Sequence, residues 1–328
     1  MRLFILVLSA SCVGLYGLAL AGFAGYTFGR GRADYIAWGL SLGTVCGAAA
    51  IQLWRKWMRD TTPDMLIFDV DGVLIDTCDS YRIATAETVR LLWESELQGA
   101  ADCEGYTQEY YDICKLHESF NDDAAVAWAL LRCMRRTGSK SMKAALPSPD
   151  AWKEETKMFD GVNIEELAHG EDNEGKEIPL AKVRAVMLDI YYGKDGKAGL
   201  CAMEKPATVR DWKDMGLPVG IYTGRSRGEM YLGWKMLNWN DFPLDMLISS
   251  DEGILKPSPE GLSILCERAG AKVPLYFGDT ASDKATWAAF GKGTFVAIGP
   301  LLKADATREG HPHYDTLESA LSELLQPL

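Results

Sequence analysis

The chain has 328 residues, with 34 Lys and Arg against 46 Asp and Glu, a formal charge of −12, and 48% hydrophobic residues. That length allows one large domain or two small ones, and the apolar share is enough for a buried core. The acidic balance excludes an ordinary nucleic-acid binder, because affinity for a phosphate backbone needs a basic surface.

From Leu3 to Phe28 no residue is charged. Arg30, Arg32 and Asp34 interrupt the run, and a second uncharged stretch follows from Tyr35 to Trp54, closed by Arg55, Lys56 and Arg59. Each stretch reaches the roughly 20 residues that an apolar helix needs to cross a bilayer. We therefore expect a membrane hairpin over residues 1–60, with spans at 3–28 and 35–54. The first run is too long for the apolar core of a cleaved signal peptide, and a second follows at once. One span plus an interfacial helix is the remaining alternative. Gly39, Gly43 and Gly47 recur on one helical face, as do Gly17, Ala21 and Gly25. Such spacing lets helices pack closely in lipid, against each other or against a membrane-protein partner. Tyr26, Phe28, Tyr35, Trp38, Trp54 and Trp57 fall near the span ends, where aromatic rings favour the interface. Arg2, Arg55, Lys56 and Arg59 outnumber Arg30 and Arg32 across the hairpin. Positive charge favours the cytoplasmic side, so the bulk of the chain is expected there.

Cys12, Cys46, Cys78, Cys103, Cys114, Cys133, Cys201 and Cys266 show no CxxC spacing. They read as free thiols of a reducing compartment.

Beyond residue 60, short apolar runs read as buried strands: Met65 to Phe68, Val219 to Tyr222, Met246 to Ile248, Leu275 to Phe277 and Phe295 to Ile298. Helical spacing over Lys205 to Met215, Gly228 to Leu237 and Pro259 to Ala269 separates most of them. Alternation of this kind predicts an α/β fold, a doubly wound, mostly parallel Rossmann-like sheet. Its segments would be 61–78 and 201–328, with a helical cap inserted over 79–200. Within the cap, Ser80 to Leu97 and Asn121 to Thr137 read as helices, the latter opened by Asn121, Asp122 and Asp123 as cap and first-turn acids. Gly161 to Glu177 is acidic and reads as a solvated loop, and Thr137 to Pro149 as a connector.

Four segments at predicted strand ends carry the chemistry. Asp69-Val70-Asp71-Gly72 places two carboxylates two residues apart, on one side of an extended chain. Such a pair repels unless it shares a cation or a proton. Thr223-Gly224-Arg225 offers a hydroxyl and a glycine amide to a phosphate oxygen. Lys256, between Leu255 and Pro257, can neutralise a phosphate and a carboxylate. Asp279 and Asp283, at a strand-to-helix turn, suit Mg²⁺, a cation of hard oxygen ligands.

These segments, in this order, resemble the four motifs of the haloacid dehalogenase superfamily. The likeness covers nearly everything after Pro63. Ser80-Tyr81-Arg82 and Phe120 to Asp123 resemble capped members of subgroup IA. The resemblance implies that Asp69 is a nucleophile forming a phospho-aspartate, and that Asp71 is the acid and base at the leaving oxygen. It implies that Thr223 orients the phosphoryl group, that Lys256 neutralises charge, and that Asp69, Asp71 (by its carbonyl), Asp279 and Asp283 hold Mg²⁺. Dehalogenases lack the second acid, so Asp71 favours phosphoryl transfer.

Asp76 and Thr77 read as closing the turn after the first motif. Gly224, Arg225 and Arg82 are candidates to bind substrate. The competing readings are a solvated Arg225 and a surface ion pair for Arg82. His311-Pro312-His313 reads as an exposed loop. The function expected is a membrane-anchored phosphatase of a small phosphorylated metabolite, one that is lipid-linked in the narrower form of the reading. A phosphomutase and an accessory subunit of a membrane complex are the alternatives.

Overall fold

The computed structural model describes residues 1–27, 32–100, 105–173 and 178–325. Side chains at 2, 26, 27, 56–61, 172 and 173 lie outside that description. So do the readings above that rest on Arg2, Tyr26, Phe28, Arg30, Lys56, Trp57, Arg59 and Cys103. The chain divides into two compact units, Met1–Pro63 and Asp64–Leu328.

The first unit is a helical pair, α1 (Arg2–Thr27) and α2 (Ala33–Thr61). Both are long and apolar enough to cross a membrane, over Leu3–Gly25 and Ala33–Arg55. Leu3, Phe4, Leu6, Val13, Trp38 and Val45 are exposed on its outer faces. The two helices meet through glycine. A Cβ built on Gly39 would lie 2.4 Å from the carbonyl oxygen of Leu15, and one on Gly47 would lie 3.1 Å from Cys12 Sγ. The Tyr16 and Thr44 hydroxyls hydrogen-bond across the pair at 3.0 Å. The Gly39 face is therefore taken up in the contact between the two helices. On α1, a Cβ built on Gly14 or Gly17 would meet no neighbouring atom within 4 Å among the described residues.

The second unit is α/β. Strands β1 (Met65–Phe68), β4 (Val219–Tyr222), β5 (Leu247–Ile248), β6 (Pro274–Gly278), β7 (Thr294–Ile298) and β8 (His313–Tyr314) form one sheet in the order β5-β4-β1-β6-β7-β8. Every pairing in it is parallel. Side chains alternate between the two faces. Leu66 and Phe68 join one apolar cluster with Ile221, Phe277 and Val296, while Met65 and Ile67 join the other with Tyr222, Tyr276 and Phe295. A strand buried on both faces reads as an unbroken apolar run, which is why β1, β4, β5, β6 and β7 were legible and the half-buried β8 was not. Helices α10 (Arg227–Leu237), α11 (Glu260–Ala269), α12 (Ala281–Phe290), α13 (Lys303–Glu309) and α14 (Leu317–Leu324) complete this part.

A two-stranded antiparallel ribbon stands where the chain leaves and re-enters the sheet. Its strands are β2 (Ile75–Asp76) and β3 (Lys205–Pro206), with Ile75 opposite Pro206 and Asp76 opposite Lys205. Between them run α3 (Tyr81–Ser95), α4 (Gln108–Lys115), α5 (Asp123–Thr137), α6 (Met142–Ala145), α7 (Pro149–Glu155), α8 (Ile164–Asn173) and α9 (Leu180–Tyr192). These helices bury an apolar cluster drawn from residues 84 to 187, including Trp93, Trp128 and Trp152. Helix α5 starts as its acids require: the Asp122 carboxylate accepts from the Ala124 N–H at 3.0 Å, an N-cap contact.

Three expectations are corrected. The acidic loop over 161–177 contains helix α8, capped by the Asn163 side chain, which accepts from the N–H groups of Glu165 at 3.0 Å and Glu166 at 3.3 Å. Ile164, Leu167 and Ala168 pack it onto the insert's core, and acids at a helix start are favourable. The helix expected over Lys205 to Met215 is instead β3 followed by a short 3₁₀ turn at Trp212–Met215. Pro206 removes a donor and holds Lys205 extended, so ribbon pairing overrides the helical spacing. His311-Pro312-His313 is no exposed loop. His313 lies in β8, its Nε2 is 2.7 Å from the Gly299 carbonyl oxygen, and the His311 ring packs edge-on against Trp287.

The contact between α1 and α2 can be tested by cross-linking. In a Cys46→Ser background, Gly47→Cys should form an intramolecular disulfide with Cys12 under mild oxidation, because its Cβ falls within bonding reach of that sulfur. Peptide mass spectrometry reads the linked pair, and unlinked helices after full oxidation would contradict this packing.

Candidate active site

Ends of parallel strands bring the predicted acids together. Asp69 follows β1, and its N–H donates to the Phe277 carbonyl at 2.9 Å, locking it beside the end of β6. Asp279 and Asp283 follow β6 at the start of α12, where Thr280 and Asp283 form a reciprocal capping box. Lys256, on the loop after β5, reaches between these segments. Its Nζ lies 2.6 Å from Asp69 Oδ1 and 2.7 Å from Asp283 Oδ1, and the side chain is 1% exposed.

The three acids differ in how they are satisfied. Asp283 Oδ1 also accepts from the Tyr276 hydroxyl at 2.6 Å, and its Oδ2 accepts from the Thr280 hydroxyl and the N–H groups of Asp279 and Thr280. Asp279 Oδ1 is buried and accepts no hydrogen bond among the described residues. Ligand oxygens of Asp69, Asp279 and Asp283 all lie within 4.8 Å of one another.

Proton affinities follow from this packing. Burial raises Asp69 to about 7, although Lys256 opposes the rise, and the charges of Asp283 and Asp71 add to it. Asp279 is raised well above the usual carboxylate range by burial and by the charges of Asp283 and Asp69. Burial would raise Asp283 as well, but Lys256 and the donors from Tyr276 and Thr280 hold it below that range. Lys256 is raised, since Asp283 and Asp69 outweigh its burial. Three carboxylates thus face one ammonium, an excess that a divalent cation would cancel. The unpartnered Asp279 oxygen fits such a ligand, and oxygen donors of this kind suit a hard cation.

Gly72 makes the crowding feasible. It adopts φ +73, and a Cβ there would stand 2.1 Å from Asp279 Oδ2.

Asp69, Asp71, Gly224, Arg225, Asp279 and Arg82 line one cavity of about 1000 Å³. Thr223 and Lys256 are buried and do not line it. The Thr223 N–H donates to Ile248 and its Oγ1 accepts from the Arg225 N–H at 3.1 Å. Arg225 is not solvated. Only 2% exposed, it donates to Asp71 Oδ1 from Nε at 2.9 Å and Nη2 at 2.6 Å, and Nη2 also reaches Glu204 at 3.0 Å. Arg82 pairs with Asp112 at 2.8 Å within the helical insert while lining the cavity.

Several residues escaped the sequence reading. Glu204 is buried against Arg225, Ser80 and Tyr191, and it lay beside a segment expected to be helical. Lys115 is 6% exposed, paired with Asp123 at 3.0 Å, and lines the cavity from α4. The Asn121 amide lies 3.2 Å from where a Cβ on Gly224 would be. No local motif announces any of them as part of a site.

A family model for haloacid dehalogenase-like hydrolases matches residues 63–291. No curated protein matches the chain. Among solved structures, phosphatase Tt82 from Thermococcus thioreducens is 25% identical with a TM-score of 0.50, the likeness covering 75% of this chain and 99% of that one. A haloacid dehalogenase family hydrolase from Deinococcus radiodurans is 18% identical with a TM-score of 0.39, covering 81% and 89%. A family IA hydrolase from Entamoeba histolytica is 15% identical with a TM-score of 0.44, covering 80% and 100%.

The raised carboxylates generate a stability prediction. Without divalent cations the folded protein holds protons that the unfolded chain would release between the ordinary Asp value of 3.8 and about 7. Their contribution is therefore present at low pH and is lost as pH rises through that window. The thermal midpoint of the cation-free protein should fall more steeply over it than that of Asp279→Asn, and a divalent cation should remove the difference. Parallel curves for the two proteins would contradict the assignment.

Proposed function

The chain belongs to the haloacid dehalogenase-like hydrolases, and on that premise we propose a Mg²⁺-dependent phosphatase acting on a small phosphomonoester through Asp69. One observation carries the reading. At the cavity wall Asp69 is gripped through Oδ1 by a buried lysine, beside a carboxylate oxygen of Asp279 that nothing satisfies. Resemblance to phosphatase Tt82 supports phosphoryl chemistry for this chain.

In this reading the free oxygen of Asp69 attacks phosphorus, and the bond from phosphorus to the ester oxygen breaks. Asp71 gives that oxygen its proton. Water then loses a proton to Asp71, attacks the phospho-aspartate and restores Asp69. Lys256 keeps the nucleophile oriented and balances the transferred charge. The Gly224 backbone and Thr223 orient the phosphoryl oxygens. Mg²⁺ would be held by Asp69, the Asp71 carbonyl and Asp279. Asp283, whose oxygens are already occupied by protein donors, would act as its outer anchor. When bound, the ion supplies charge neutralisation at the phosphoryl oxygens.

The helices between β2 and β3 serve as a cap of the subgroup IA kind, which sets specificity and excludes water. The outward apolar faces of α1 and α2 support a membrane anchor. The sign of the flanking charges supports a cytoplasmic catalytic domain. A substrate made at or linked to the membrane is the narrower form of the proposal.

Phosphate release from a panel of phosphomonoesters tests this directly. Release should require Mg²⁺ and vanish in Asp69→Asn, while Asp71→Asn should lower it by about 10² to 10⁴-fold on alkyl esters. A rearranged sugar phosphate in place of free phosphate would point to a mutase. Absence of either product from the folded, Mg²⁺-binding protein would leave the accessory-subunit reading.

A further inference from the structure

Arg225 was a candidate substrate ligand and lines the cavity, yet its guanidinium is buried and committed to two carboxylates through Nε and Nη2, with Nη1 alone unpartnered among the described residues. Its side chain is 1% exposed, wedged between Asp71 and a Glu204 side chain equally buried at 1%. Two of its nitrogens converge on a single oxygen, Asp71 Oδ1. Among the described residues Asp71 Oδ2 accepts no hydrogen bond, and Asp71 lines the cavity. The grip therefore fixes one oxygen of a carboxylate whose side chain is 33% exposed and which lines the cavity.

Glu204 connects this grip to both chain crossings between the sheet and the helical insert. Its Oε1 accepts from the Ser80 hydroxyl at 2.9 Å, one residue before α3. It also accepts from the Tyr191 hydroxyl at 2.8 Å, near the end of α9. Tyr191 stacks on Tyr81 with ring centroids 4.5 Å apart, and Arg225 lies 5.7 Å from the Tyr81 ring. Glu204 itself directly precedes β3. A buried carboxylate held by a cation and two hydroxyls is costly to disturb on either side. Such a network holds its members to one arrangement.

We propose that Arg225 and Glu204 are positioning residues for proton transfer. Arg225 holds Asp71 so that the proton rides on Oδ2, and Glu204 holds Arg225 in register with both crossings into the insert. This rests on the phosphatase reading, in which Asp71 protonates the leaving oxygen. The proton on Oδ2 passes to the ester oxygen as its bond to phosphorus breaks. The bonding pair stays on that oxygen, and Asp71 is left as a carboxylate.

The test compares two aryl esters of nearly equal shape, using the full-length protein in mild detergent with Mg²⁺. Phenolate is a poor leaving group without a proton, whereas p-nitrophenolate departs without one. In Arg225→Lys, which keeps the charge but cannot bridge both acids, kcat/KM, which covers only the steps through departure of the alcohol, should fall about 10²-fold on phenyl phosphate and less than about 5-fold on p-nitrophenyl phosphate. Competitive inhibition by inorganic phosphate should stay within about twofold, since ground-state binding is untouched. Glu204→Gln keeps the side-chain volume and an acceptor for Ser80 and Tyr191. It should shift the same ratio in the same direction by a smaller factor, and it decides the matter if Arg225→Lys does not fold. An equal loss on both esters would mean a structural role only. A raised KM with unchanged kcat would restore Arg225 as a substrate ligand. Either result overturns the proposal while leaving the phosphatase reading intact. If the unsubstituted protein hydrolyses neither these esters nor any in the wider panel, the phosphatase reading fails and takes this inference with it.

Discussion

Lys256 lies between Asp69 and Asp283 with almost no access to water, and the rest of the site depends on that contact. Removing one partner of a buried ion pair typically costs about 3–5 kcal/mol, because a charge is left without compensation. Here one ammonium spans the ends of two strands, β1 and β6, from the loop after β5. It therefore fixes the relative positions of three segments that are far apart in the chain. The N–H of Asp69 on Phe277 and the glycine at 72 let the backbone come close enough for the contact to exist. One cation among three carboxylates also leaves the site electrostatically incomplete. Burial and mutual repulsion raise Asp69 and Asp279, so the protein alone supplies a binding place for positive charge.

A second buried cation, Arg225, plays a matching part on Asp71. Lys256 organises the sheet end, whereas Arg225 ties the sheet to the two crossings that lead into the helical insert. That insert has an apolar core of its own, formed by residues between 84 and 187. At the crossings its junction with the sheet therefore includes buried polar contacts: Ser80, Tyr191 and Glu204 around Arg225. Polar contacts of this kind are geometrically strict, which holds the helical insert and the sheet to one arrangement at their junction.

Legibility differed by element for identifiable reasons. The strands from Met65 to Ile298 were visible because burial on both faces leaves no polar residue to break the run. The segments around Asp69, Thr223, Lys256 and Asp279 were visible because short strand-end motifs keep their chemistry within a few residues. Helix α8 was hidden by its own charge, since Glu165 and Glu166 outweighed the apolar Ile164, Leu167 and Ala168. The ribbon at Lys205 and Pro206 was hidden because its partner, Ile75 and Asp76, lies far back in the chain. A two-residue strand has no period to read.

From the sequence alone came the kinds of groups and their order: two apolar spans, an α/β core, a helical insertion, and four acid-, hydroxyl- or lysine-bearing strand ends. These are local properties, set by hydrophobic periodicity and by residues close in the chain. Only the tertiary structure decided how those groups share charge. It put Lys256 between two carboxylates, left Asp279 with an oxygen unsatisfied among the described residues, and paired Arg225 with Asp71 and Glu204. Charge pairing in a buried site depends on distances between segments more than a hundred residues apart, from Asp71 to Arg225 and from Asp69 to Lys256. Only the packed sheet sets those distances.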